Sequence, residues 1–150
     1  MVFKLGKTRK ISGNVYVVRT LVSNFFIYSN YGAAVCFNSG FIPCVVNREL
    51  GKIDIKPESI SNVFITYPHF YNMGGIKLFK NSNIYIPSKV FDKKLKYMEF
   101  NKKKKNRTKY IKVQDGDVLN IGNIKIKAIV FPGHKRGAIS YMVNDSILFI

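Results

Sequence analysis

A chain of 150 residues with 47% apolar side chains is long enough for one domain with a buried core and too short for two comfortable ones. The formal charge of +17, from 25 Lys and Arg against 8 Asp and Glu, favours anionic partners, although the wealth of Asn, Lys, Ile, Tyr and Phe also fits AT-rich coding. No apolar run reaches the roughly 18 residues that a membrane-crossing helix needs, and the start "MVFKLGKTRK" has no apolar segment behind its charges, so a soluble, cytoplasmic protein with no membrane partner is expected.

From the N-terminus, the short runs "VYVV", "FFIY" and "AAVCF" are rich in β-branched and aromatic residues and read as strands. Phe41 to Leu50 is a predicted helix, with Pro43 in its first turn and Gly51 as its stop. "VFIT" reads as a strand, Met73 to Lys80 as a second helix and "IYI" as a further strand. "SKVFDKKLKYM" is a third predicted helix, with Ser88 as N-cap behind Pro87. The runs "VLNI", "IKIKAIVF", "ISYMV" and "SILFI" return the chain to strands. "IKIKAIVF" alternates at first, as a strand with one wet face does, then turns wholly apolar as if entering the core. This order is an α/β layered pattern, in which loops at the sheet ends form the natural site. There is no internal repeat, no inter-domain linker and no Gly-rich phosphate loop. Cys36 and Cys44, with seven residues between them, match no zinc-knuckle or redox spacing and read as buried free thiols in a reducing compartment.

Between Lys89 and Lys112 the basic residues cluster, opposed only by Asp92 and Glu99. A run such as "NKKKKNRTK" cannot enter a core, so it is either a solvated loop or a phosphate-binding surface. The second reading makes Lys102, Lys103, Lys104, Lys105 and Arg107 a non-specific nucleic-acid surface.

The stretch "TYPHFYNMGG", Thr66 to Gly75, holds one of the two histidines in the chain. It lies within the block "ISNVFITYPHFYNMGG" from Ile60 to Gly75, which, with "SNFFIYSNYGAAVCFNSG" from Ser23 to Gly40 and "DGDVLNIGNIKIKAIVFPGHKRGAISY" from Asp115 to Tyr141, resembles the metallo-β-lactamase superfamily. The family patterns are "SNxYLI…DTG", "THxHxDHxGG" and "DGDxLxxG…PGHTxGSxxY", and the three blocks occur here in the family's order. The resemblance implies an αββα sandwich with an incomplete second half. It makes residues 1–150 a single domain, truncated after the first half and the opening strands of the second.

The resemblance also implies where the metal ligands belong. Tyr67 stands at the first His, His69 keeps the second, Tyr71 replaces the Asp ligand and Asn72 the His after it. His134 keeps the His of the Pro-Gly-His turn, and Asn38 replaces the Asp of "DTG". The bridging Asp would fall just past Ile150. Two ligand positions, His69 and His134, survive as remnants.

Ligand chemistry alone, without the family, leads to the same expectation. Activating water on zinc takes about three imidazole, thiolate or carboxylate ligands with one position left open. The chain owns two His, and no Asp or Glu lies between Glu58 and Asp92. Lys135 and Arg136 follow the second His, so the cavity carries positive charge that repels a cation.

The resulting expectation is a non-catalytic pseudo-hydrolase that binds or scaffolds, with no cofactor. The alternative is a zinc-dependent hydrolase of an ester, lactone, thioester or phosphodiester. The two histidines read either as neutral, hydrogen-bonded residues at strand ends or as part of a small-anion pocket of Tyr67, His69, Tyr71, Asn72, His134, Lys135 and Arg136. Phe70 is expected in the core, and Gly74 and Gly75 are expected to permit close packing. An apolar edge at "SILFI" predicts a second copy or a protein partner as its cover.

Overall fold

The computed structural model describes residues 6–91 and 109–150. Two sheets pack face to face. The larger has seven strands in chain order: β1 (Arg9–Ser12), β2 (Val15–Arg19), β3 (Asn24–Asn30), β4 (Ala33–Phe37), β5 (Asn62–Phe64), β6 (Asn83–Pro87) and β7 (Lys109–Val113). The first four form an antiparallel meander, while β4 to β7 run parallel to one another. The smaller sheet is antiparallel, in the order β11 (Ile147–Phe149), β10 (Ser140–Val143), β9 (Ile124–Ile129), β8 (Val118–Ile121).

Strand periodicity of two explains how one sheet feeds two cores. On β4, β5 and β6, Cys36, Val63, Ile84 and Ile86, with Ile65 just past β5, face the helical layer with Val46 and Leu50 of helix α1 (Pro43–Gly51). The intervening Val35, Phe37, Phe64 and Tyr85 face the second sheet and meet Ile126, Tyr141 and Phe149. Phe37 carries the sheet-to-sheet contact: its ring lies 4.1 Å from that of Phe149 at 6°, close to parallel. Strands buried on both faces have no polar alternation, which is why the parallel part of the sheet reads as continuous apolar runs.

Several predicted elements move. Helix α1 starts at Pro43 because Ile42 before it is held extended, and it ends at Gly51. The helix predicted over Met73 to Lys80 is instead one short helix, α2 (Phe70–Met73), followed by a 3₁₀ turn at Ile76–Leu78. The break falls at Gly74 and Gly75, where an added Cβ would lie 1.6 Å from the Phe41 carbonyl oxygen and 2.0 Å from that of Ser39. Both glycines therefore do permit close approach, but to a loop rather than to a helix.

Residue 88 already belongs to the helical turn of 88–91 instead of capping it, and the rest of that predicted helix lies outside the described residues. The run "IKIKAIVF" leaves the sheet at Ile129, and Val130 and Phe131 are exposed instead of entering the core. Strands β1 and β7 are not among the predicted elements; their Lys and Arg content hides the strand signal, and β1 is exposed along its whole length. Cys36 is buried as expected, whereas Cys44 is exposed, because it sits on the outer side of the first turn of α1.

Candidate functional site

The site lies where the parallel strands end, the usual location of a binding crevice in such sheets. Beyond β5, the chain passes through Thr66 and Tyr67 to His69, which immediately precedes α2. Asn38 lies at the matching end of β4 in the left-handed region, with φ 67°. Its side chain spans to the next strand: the Thr66 amide donates to Asn38 Oδ1 at 3.0 Å, and Asn38 Nδ2 donates to Thr66 Oγ1 at 3.1 Å. Asn and Asp tolerate left-handed backbone and cap neighbouring amides, so one residue both turns the chain and ties two strand ends. Two further bonds bring the second sheet to this point. The buried Tyr141 hydroxyl donates to the Ile65 carbonyl at 2.7 Å, and the Ile139 amide donates to the Thr66 carbonyl at 2.8 Å. Burial pushes the Tyr141 phenol well above its ordinary pKa, so it serves as a neutral donor.

His69 is flanked by the rings of Tyr71 at 3.9 Å and Phe70 at 4.4 Å. Its Nδ1 is buried without a hydrogen-bond partner, so the hydrogen-bonded role expected for this histidine does not hold at that nitrogen. Phe70 is 53% exposed and meets Phe41 edge-on, which corrects its expected place in the core. Asn72 turns inward, its Nδ2 donating to the Tyr67 carbonyl at 3.0 Å. The α2 backbone is anchored from below, since Ser39 Oγ donates to the Asn72 carbonyl and Ser23 Oγ to that of Tyr71, both at 2.8 Å.

The second loop, between β9 and β10, carries His134, Lys135 and Arg136, all exposed. Lys135 crosses to the first loop, its Nζ lying 4.0 Å from the centre of the Tyr67 ring. Of the seven residues named as an anion pocket, this is the pair whose side chains meet across the two loops. A cleft of about 160 Å³ opens beside the loop, lined in part by Ser88, Lys89, Asp115 and Ile139. Sequence reasoning does not bring Lys89 and Asp115 together, although both stand in stretches it singles out, the basic cluster and the "DGD" block. Lys102, Lys103, Lys104, Lys105 and Arg107 lie outside the described residues.

These residues do not make a zinc donor set. At the positions where the resemblance implies ligands, Tyr67 has a lysine ammonium over its ring, the Tyr71 ring lies tilted against His69, and the Asn72 amide is already engaged. Among the described residues, no three His, Cys, Asp or Glu side chains converge.

No protein-family model matches the chain, and no curated protein sequence matches it. Its structure, however, is similar to known metallo-β-lactamases. The FEZ-1 enzyme of Legionella gormanii superposes with a TM-score of 0.68 at 19% identity, over 91% of this chain and 57% of that one. BJP-1, a subclass B3 enzyme of Bradyrhizobium japonicum, gives 0.72 at 18% over 92% and 56%. A Cronobacter sakazakii metallo-β-lactamase with a HARLDQ motif gives 0.72 at 16% over 95% and 60%. The chain has the metallo-β-lactamase fold and spans a little over half the length of these structures. No helix among the described residues is long and apolar enough to cross a membrane.

Proposed function

We propose that this chain uses a metallo-β-lactamase scaffold to bind a small anion and does not carry out metal-dependent hydrolysis. The observation that supports the reading is the Lys135 ammonium 4.0 Å from the centre of the Tyr67 ring, a cation beside the residue at which the resemblance implies a metal ligand. An ammonium there disfavours a divalent ion electrostatically and favours a carboxylate or phosphate group, with His134 and Arg136 on the same loop as further donors. Asn38, Thr66 and Tyr141 fix the floor of the site with neutral hydrogen bonds and supply no carboxylate that would offset the charge.

Elemental analysis of protein purified without chelator tests the proposal. Less than about a tenth of an equivalent of zinc, iron or manganese is expected, since a catalytic zinc site takes about three protein ligands. Stoichiometric metal together with hydrolysis of an ester or lactone would establish the zinc-hydrolase alternative. For the anion, Lys135→Gln with Arg136→Gln should weaken binding of benzoate, and unchanged affinity would remove those residues from the site.

A further inference from the structure

A second groove, on the α1 side of the larger sheet, is lined by Lys7, Thr8, Arg19, Leu21, Arg48 and Lys52 around Glu49, and its volume is about 610 Å³. We propose that this groove binds a small phosphate ester, the cations taking the phosphate and Leu21 and Val45 taking the organic part. The inference does not rest on the function proposed above.

The groove is held in shape by one buried carboxylate. Glu49 is only 5% exposed, on the inner side of α1, yet three groups converge on it. Lys52 Nζ lies 2.7 Å away, Arg48 Nε lies 3.5 Å away, and the Thr8 hydroxyl donates to it. Thr8 Oγ1 in turn accepts from the Arg19 amide at 3.0 Å. One acid thus joins the N-terminal segment, the end of β2 and helix α1. A carboxylate this buried is costly unless it is paired and hydrogen-bonded, and here the pairing sets the position of the cations.

Four cations against one carboxylate leave a lining charge of +3, and among the described residues Lys7 and Arg19 form no ion pair. Arg is suited to phosphate through its forked donors. The volume falls in the range of small-ligand pockets, about 300–1,000 Å³. Leu21 is 59% exposed at the rim, an apolar surface that an inorganic ion alone would leave wet.

Because the whole chain is strongly basic, the test must separate this groove from the general field. Binding of phenyl phosphate is measured by calorimetry at fixed ionic strength for four proteins. These are the parent, a Lys7→Gln, Arg19→Gln, Arg48→Gln triple variant, an Arg19→Lys, Arg48→Lys variant, and a control with Lys125→Gln and Lys127→Gln on β9. The triple variant is expected to lose about tenfold or more in affinity, as when charge-assisted hydrogen bonds are removed. The charge-conserving variant keeps the charge but gives up the forked donors, so its affinity should fall between those of the parent and the triple variant, while the β9 control should match the parent and thermal melts check that each protein is folded. Inorganic phosphate should bind more weakly than phenyl phosphate. Equal loss in the triple variant and the control, or an unchanged triple variant, would overturn the proposal. So would displacement by duplex DNA that is equally effective on the parent and the triple variant, because the ligand would then be reading the overall field.

Discussion

Asn38 combines a backbone constraint with a side-chain function, and the two can be separated by substitution. At φ 67°, an alanine would keep the strained conformation and lose the side-chain hydrogen bonds to Thr66. Asn38→Ala is expected to cost about 2–3 kcal/mol in urea unfolding, whereas Asn38→Gly, which relieves the strain, should cost less. If the two cost the same, the left-handed backbone stores no strain. Glu49 offers a test by pH. Its burial tends to raise the carboxyl pKa, but hydrogen bonds from Lys52 and Thr8, with the charges of Lys52 and Arg48, outweigh that and hold it below the ordinary value. A carboxyl whose pKa is lower folded than unfolded adds stability above the unfolded value, near 4.3, and loses that contribution as pH falls through the folded one. Unfolding free energy should therefore decline below about pH 4.5, and Glu49→Gln should flatten that decline while lowering stability at pH 7 by about 1.5 kcal/mol.

At the scale of elements, two glycines beside helices have opposite expected behaviour. Gly74 follows α2 with its Cα against the Phe41 carbonyl, and a methyl group there would need backbone to move. Gly74→Ala should cost more than about 4 kcal/mol or abolish folding, the size seen when a packed interface is forced apart. Gly51 closes α1 with nothing within 4 Å of an added Cβ and without positive φ. Gly51→Ala should stabilise by about 0.5–1 kcal/mol through helix propensity and reduced freedom of the unfolded chain. A pair of thermal melts measures both, and an unperturbed Gly74→Ala variant would mean that α2 is not clamped against residues 39–41. The same clamp lies at the break in the predicted helix: its hydrophobic pattern continues through residue 80, but the Phe41 and Ser39 carbonyls press on Gly74 and Gly75, and beyond them the chain tightens into a 3₁₀ turn.

For the molecule as a whole, the edges of the sheets matter most. Among the described residues β11 pairs with β10 alone, and the outer face of the second sheet places Val118, Lys127, Met142 and Leu148 in one row across the strands. Such a face, with Val118 half exposed, favours association. Light scattering is expected to show a dimer or larger species that Leu148→Lys shifts toward monomer. A parent protein that stays monomeric at high concentration would argue against this use of the edge.

The sequence by itself determined the layered α/β class and the order of most strands. Those features depend on local periodicity and on residue type, which the chain carries without coordinates. It did not disclose β1 or β7, whose charged residues mask their pairing, nor the burial of His69 Nδ1, the exposure of Phe70 or the approach of Lys135 to Tyr67. Nothing in it hinted that Glu49 gathers Thr8, 41 positions away, together with Lys52 and Arg48 around one groove. Each of these depends on which surfaces meet when two sheets and a helix pack, and that is decided by long-range burial, which no local pattern in the chain encodes.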